Sequence, residues 1–245
     1  MKIATWNLNC IDANSGVRGK RIQSELDRVA ADVWILTESH PLFAPSGHRL
    51  IATSSPAIDR VKGGRWVTIW VRDEMEATEV VLREQDERMA AVRIVRAPYR
   101  SVVVFGTVLP WRADTRHAEY RGARVFEHTL REHAKEWDAQ MTGEEDTELC
   151  IAGDFNQEFR ANGPIGTRIG RAALDEILQN SKLTCATGGS QDPLVHRRCG
   201  TNIDHILISK GLRVSDVLPE SWPESIPVPR RISDHYGISI TVADA

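Results

Sequence analysis

The chain has 245 residues, enough for one large domain or two small ones, with 31 lysines and arginines against 34 aspartates and glutamates and a formal net charge of -3. That balance excludes a globally basic nucleic-acid-coating protein, so any basic surface is local. Apolar residues make up 41%, which suits an ordinary core, and no run approaches the roughly 20 apolar residues of a membrane span.

The N-terminus passes from Met1-Lys2 straight into Ile3-Ala4-Thr5-Trp6, without the pattern of a secretory signal. Residues 2–6 read as a strand ending in Trp6-Asn7-Leu8-Asn9. From about Val17, Ile22, Leu26, Val29 and Ala30 recur at helical spacing among charged residues, which predicts an amphipathic helix. Asp32 to Glu38 follows as a buried strand finishing on a carboxylate, and a Pro/Ser/Gly loop runs from Ser39 to about Gly47. Between Leu50 and Leu109 the chain is mostly strand with short, hairpin-like connections, so an antiparallel arrangement is expected. A polar loop spans residues 110–118, and a long helix then buries Phe126, Leu130, Ala134 and Trp137.

Leu149-Cys150-Ile151-Ala152 is an apolar run leading into Gly153-Asp154-Phe155-Asn156-Gln157. Gly153 would let the backbone turn. Residues two apart in an extended chain point the same way, so Asp154 and Asn156 would reach one small volume and could position a water or a metal. The same residues also suit an ordinary turn. A helix from about Thr167 to Asn180 is expected to bury Ile169, Ala173 and Ile177, with a short strand at Leu183–Thr187 and another at Thr201–Ser209. The Pro-rich segment 219–229 cannot stay regular for long. Ser233-Asp234-His235 leads into a last strand whose alternation fits an edge or half-buried position. The four cysteines (Cys10, Cys150, Cys185, Cys199) form no C-x-x-C pair; Cys10 and Cys150 read as small buried hydrophobes. A cytoplasmic protein is expected. With no repeat and no linker, one α+β domain over 1–245 is expected, two packed sheets covered by helices.

Asn7, Asn9, Glu38, Asp154, Asn156, Asp204, Asp234 and His235 all fall at strand ends. Singly, each has a bland reading as a turn residue, surface acid or loop histidine. Together, Thr5-Trp6-Asn7-Leu8-Asn9, Ile35-Leu36-Thr37-Glu38, Gly153-Asp154-Phe155-Asn156, Ile203-Asp204-His205-Ile206 and Ser233-Asp234-His235 resemble, in order, the endonuclease/exonuclease/phosphatase superfamily. The resemblance covers essentially the whole chain.

It implies a DNase I-like two-sheet β-sandwich with helices on its outer faces, the active site at one sandwich edge, and Mg²⁺- or Mn²⁺-dependent hydrolysis of a phosphate ester. Under it, Glu38 would ligate the metal with Asn7 and Asp234, and Asp154 would activate the attacking water. Asn156 would hold the phosphate or that water, His235 would donate to a phosphoryl oxygen, and Asp204 would fix its tautomer and raise its pKa. Asn9 would contact substrate.

One departure stands out. The family commonly has Tyr or His near a Pro-Asn at the end of a central strand, and Gly106-Thr107-Val108-Leu109-Pro110-Trp111 has neither. Either the role is absent or Arg112, Arg116 or His117 supplies it. Arg168 and Arg171, Arg197-Arg198 and Arg230-Arg231 could contact a phosphate backbone; Arg198 and Arg231, beside the segments carrying Asp204 and His235, are the candidates. A nuclease is thus the leading expectation. A phosphatase or phospholipase-like hydrolase of a small or lipid phosphate is the alternative, and a non-catalytic binding protein of the same fold is a third. The sequence does not give an oligomeric state.

Overall fold

The computed structural model describes the chain apart from residues 13–14, 56–60, 84–86, 97–99, 115–118, 142–146, 161–162, 198–200, 216–218, 224–231 and 245. In chain order the main elements are β1 (Lys2–Asn7), α1 (Gly16–Val29), β2 (Val33–Ser39), β3 (His48–Thr53), β4 (Arg65–Arg72), β5 (Ala77–Glu79), β6 (Met89–Arg96) and β7 (Arg100–Val108). Then come α2 (Ala123–Met141), β8 (Thr147–Asp154), α3 (Arg168–Asn180), β9 (Leu183–Cys185), α4 (Pro193–Arg197), β10 (Asp204–Ser209), β11 (Leu212–Val214), β12 (Glu220–Trp222) and β13 (Gly237–Asp244).

The strands form two sheets, ordered β11-β13-β1-β2-β4-β3 with β12 also on β13, and β5-β6-β7-β8-β10-β9. Each sheet is built on one parallel pair joined through a helix: β1 with β2 across α1, and β7 with β8 across α2. Neighbours β13, β4, β6 and β10 run antiparallel to these pairs. Parallel strands deliver their C-terminal ends to one edge of a sheet, and antiparallel neighbours start there. Both sheets use this rule, so the ends of β1, β2 and β8 and the starts of β10 and β13 are the places where polar residues can gather.

Ile3, Ile35, Val67, Ile69, Val92, Val104, Cys150, Ile206 and Ile240 pack between the sheets. On the outer face of the first sheet, Ile22 and Leu26 of α1 pack with Trp6, Trp34, Trp70 and Trp222. On the outer face of the second, Leu130 and Trp137 of α2 and Leu174 and Ile177 of α3 pack with Phe105 and Ile151. Both sheets are thus covered on both faces, which is why Val33–Leu36, Val102–Phe105 and Leu149–Ala152 are continuous apolar runs. This is the expected α+β sandwich with helices outside. No helix among the described residues is long and apolar enough to cross a membrane.

Two local expectations are corrected, and a third holds with an addition. Ile169 is 51% exposed, because α3 buries Gly170, Ala173, Leu174 and Ile177 instead; Gly170, lacking a side chain, packs against Gln157 and Phe126. The last strand, β13, pairs with β1 on one side and with β11 and β12 on the other, so it is not an edge strand; Gly237–Ile240 are buried, and only from Ile240 to Ala243 does burial alternate, with Thr241 and Ala243 half-buried. The 50–109 stretch is antiparallel within each sheet but divides between the two, β3 and β4 in the first and β5 to β7 in the second.

Ala90, Gly106 and Ala152 lie side by side across β6, β7 and β8. This row of small residues lets the opposite sheet approach: a Cβ on Gly106 would sit 2.4 Å from Val67 Cγ1 and 2.9 Å from Ile35 Cγ2. Gly106→Ala is therefore expected to destabilise the fold by about 1–3 kcal/mol through overpacking, read as a lower denaturant midpoint at unchanged m-value. An unchanged midpoint would show that the sheets can part at no cost.

Candidate active site

Asp154, the last residue of β8, is 2% exposed. Its Oδ1 accepts the backbone N–H of Asn156 at 2.8 Å, and its Oδ2 accepts Asn156 Nδ2 and Asn7 Nδ2, each at 3.1 Å. Asn7 ends β1 in the other sheet, and the same Nδ2 donates to Glu38 Oε1 at 3.1 Å. One amide thus links a carboxylate of each sheet without adding charge. Asn7 Oδ1 accepts the backbone N–H of Asn9 at 2.8 Å.

The Gly153–Asn156 geometry differs from the extended chain expected. Gly153 does not turn; it continues β8 at φ +145, and a Cβ there would lie 2.0 Å from Thr107 O. The turn comes at Asn156, with φ +48, and the side chain of Asp154 folds onto it as an Asx turn. Asn156 Nδ2 also donates to Leu109 O at 2.9 Å, so both amide hydrogens are engaged in holding Asp154 and the departing 106–111 stretch. Glu38, Asn9 and Cys10 also have positive φ, between +46 and +53. Non-glycine residues in this region carry strain that clusters at functional sites.

Asp204 opens β10 directly opposite Asp154. Facing residues of antiparallel neighbours share a side, so two buried carboxylates adjoin. Asp204 Oδ2 lies 2.6 Å from His235 Nδ1, while Asp204 Oδ1 is buried with no hydrogen-bond partner among the described residues. One ligand atom from each of Asp154, Asp204 and His235 falls within 4.8 Å of the others. Burial alone would lower the pKa of His235, but Asp204 and Asp154 outweigh it and push it up to about 10. Burial pushes Asp154 up to about 7, opposed by His235 and aided by Asp204. The cluster thus sets two buried carboxylates beside an imidazole whose protonated form they favour.

Glu38 forms the other end. Its Oε2 accepts Cys10 Sγ at 2.9 Å, so Cys10 is a half-buried neighbour of a carboxylate and not the buried hydrophobe expected; Cys150 is buried. Arg18 of α1 lies four residues before Ile22, on the apolar face of the helix, and its side chain is directed inward: Nε donates to Ile232 O at 2.7 Å, and Nη2 donates to Leu8 O and to Asn9 O. It senses Asp234, Asp12 and Glu38. Ser233 Oγ donates to Asn7 O at 2.6 Å and accepts His235 N–H at 3.1 Å, which seats the Ser-Asp-His segment on β1. Trp6 Nε1 adds a bond to His235 O at 3.2 Å. Ser233 was legible within its motif; the signal for Arg18 was a charge on the same helix face as Ile22 and Val29.

The structure therefore brings Asn7, Glu38, Asp154, Asn156, Asp204 and His235 together. Asp234 is exposed and near enough to act on Asp204 and His235. Asn9 lies beside Asn7, oriented through its backbone. Arg112 is exposed on the turn after Pro110. Arg116, His117, Arg198 and Arg231, with Arg230, lie outside the described residues. Arg168 is exposed, and Arg171 is turned toward Gly163 O and Ile165 O.

Asp204→Asn removes the carboxylate on His235 Nδ1 while burial remains. The His235 pKa is expected to fall from about 10 to the ordinary value of about 6.5 or lower, as read by NMR titration of the imidazole. An unchanged value would show that Asp204 does not hold the proton.

A sequence profile of the Endonuclease/Exonuclease/phosphatase family matches residues 4–235. A search of curated protein sequences gives no significant match. Among solved structures, an AP endonuclease from Leishmania major superposes with TM-score 0.68 at 13% identity, covering 98% of this chain and 86% of that one. The Xenopus laevis APE2 catalytic domain gives 0.67 at 18%, covering 100% and 92%, and humanized D. rerio TDP2 gives 0.66 at 16%, covering 99% and 98%. At these identities the likeness bears on fold. The family comprises phosphoesterases and nucleases and is generally divalent-metal dependent. With the profile spanning nearly its full length, the chain belongs to the endonuclease/exonuclease/phosphatase family.

Proposed function

We propose that the chain, acting as a single domain, hydrolyses a phosphodiester by attack of an activated water, with nucleic acid as the substrate. The observation that carries this reading is the convergence of buried Asp154 with a carboxylate-backed His235 on one side and Glu38 on the other, through the single amide of Asn7. The crystal structure of D. rerio TDP2 with a single-strand DNA product, a 14%-identical neighbour with TM-score 0.65, supports the choice of polymer.

The residues fit a hard divalent cation, Mg²⁺ or Mn²⁺. Among the described residues, four carboxylates (Glu38, Asp154, Asp204, Asp234) face one imidazole and one guanidinium, and Mg²⁺ takes one or two carboxylates while keeping several waters. Glu38 would hold it as the half-buried carboxylate, with Asp234 contributing charge and Asn7 setting the spacing. Such an ion supplies neutralisation of phosphoryl charge and support for the leaving oxygen. Asp154 accepts the proton of the attacking water, oriented by Asn7 and Asn156. His235 donates Nε2–H to a phosphoryl oxygen, its Nδ1 held by Asp204. Arg112 and Asn9 contact the chain flanking the scissile phosphate, and the sequence offers Arg116, His117, Arg198 and Arg231 as further phosphate contacts.

Assays of plasmid DNA, single-stranded DNA and RNA, abasic duplex and a chromogenic phosphodiester, with and without Mg²⁺ or Mn²⁺, test the reading. Metal-dependent cleavage of a nucleic acid, absent in Asp154→Asn, is expected, with binding falling steeply as salt rises. Turnover of small phosphate esters alone would instead indicate a phosphatase-like enzyme. Asp154→Ala or His235→Ala should lower kcat by roughly 10²–10⁴, the scale of acid–base residues; near wild-type turnover in both would refute the assignment. The rate should climb with pH as Asp154 loses its proton, at or below about 7, and decline as His235 loses its own near 10. A flat profile across that range would contradict these roles.

A further inference from the structure

Asp204 and His205 are consecutive on β10, so their side chains leave opposite faces of the sheet. Asp204 faces the catalytic cluster. His205, 1% exposed, faces the α2 and α3 side and meets the loop that follows Asp154. Its Nε2 lies 3.1 Å from Gln157 O. A carbonyl only accepts, so Nε2 carries a proton. Nδ1 faces Thr187 Oγ1 and Asn202 Nδ2, each at 3.5 Å. Thr187 Oγ1 already accepts the backbone N–H of Ile206 at 3.0 Å, leaving its own hydrogen for Nδ1. The ring is therefore neutral with Nε2–H, and burial holds its pKa down at about 3.

Phe155 and Phe159 enclose this ring edge-on, with centroids at 5.9 and 4.4 Å. The loop is pinned on both sides of Asn156: Phe155 N–H donates to Ile203 O at 2.8 Å, and Gln157 O accepts from His205. The Gln157 side chain continues the anchoring, with Oε1 accepting Thr167 N–H at 3.0 Å at the start of α3. Asn156 sits between these anchors in the left-handed region at φ +48, where Asn costs less than most residues but still needs its surroundings to hold it.

We propose that His205 is a positioning residue: through Gln157 O it fixes the left-handed turn at Asn156 and thereby the orientation of the Asp154 carboxylate. This rests on the reading of Asp154 as the base. One strand dipeptide then serves the site from both faces of the sheet, Asp204 holding the acid and His205 holding the loop of the base. The mechanism above does not use His205, and its burial alone would pass for core packing.

Three variants separate the donor from the packing. Gln places its amide nitrogen where Nε2 was and keeps the bond. Asn reaches only as far as Nδ1, and Phe keeps the aromatic filling without a donor. Catalysis is sensitive to misplacement on the order of 1 Å, which can cost 10²-fold. His205→Phe and His205→Asn are therefore expected to lower kcat by roughly ten- to a hundredfold with KM within about twofold, and His205→Gln to recover most of the loss. Amide hydrogen exchange, which needs no substrate, should show Asn156 and Glu158, whose N–H groups bond Asp154 Oδ1 and Ile165 O on either side of Gln157, losing protection at least about tenfold in the Phe and Asn variants but not in Gln, with α2 unchanged.

If His205→Gln were as impaired as His205→Phe, or if loop protection and kcat were unaltered in both donor-less variants, the proposal would be overturned. Should wild-type protein cleave no phosphodiester while the exchange pattern holds, the functional reading fails and the loop anchoring stands. If His205→Phe does not fold, the Asn and Gln pair still decides by the same exchange measurement.

Discussion

The hydrogen bond from Asn7 Nδ2 to Asp154 Oδ2, 3.1 Å long, crosses from the last residue of one sheet's β1 to the last residue of the other sheet's β8. Face-packed sheets stand about 10 Å apart, so two short side chains meet across that gap only where the sheets approach closely and end in register. The small row Ala90, Gly106 and Ala152 allows the approach, and Val67 and Ile35 fill it. The site is therefore a consequence of sheet packing: sliding one sheet past the other would separate Glu38 and Asn7 from Asp154 while leaving each sheet intact.

Burying carboxylates is costly unless each finds donors or an opposite charge. Asp154 takes two amides and a backbone N–H, and Asp204 takes His235. The compensation is incomplete. Burial holds Asp154 up at about 7, and Asp204 Oδ1 has no partner among the described residues. A group poised near neutrality suits a proton acceptor, and the excess of negative charge suits a site that receives a cation.

Much of this was legible in the amino-acid sequence. Apolar runs such as Leu149–Ala152 stand out because both faces of both sheets are covered, and the polar residues that end them stand out by contrast. What could not be read was rotational or long-range. The α3 face was misjudged at Ile169 because the neighbouring Gly170, with no side chain to signal burial, occupies the packed position. The nearness of Asp154 and Asn156 was anticipated through extended alternation, whereas a left-handed turn produces it. Arg18 went unread in the sequence, although it shares the helix face of Ile22 and Val29; the carbonyls that receive it, on Leu8, Asn9 and Ile232, come from outside the helix. The division of β3 to β7 between two sheets leaves no local trace. The altered 106–111 stretch was visible, and its backbone carbonyl at Leu109 now has a use in holding Asn156.

The central claim is that Asp154 directs a water onto phosphorus. Hydrolysis of a chromogenic phosphodiester in ¹⁸O-labelled water, with the products analysed by mass spectrometry, tests it most directly. The account predicts one labelled oxygen in the phosphoryl product, none in the released alcohol, and loss of labelled product in Asp154→Asn. Label in the alcohol, or undiminished labelled phosphoryl product from Asp154→Asn, would contradict it.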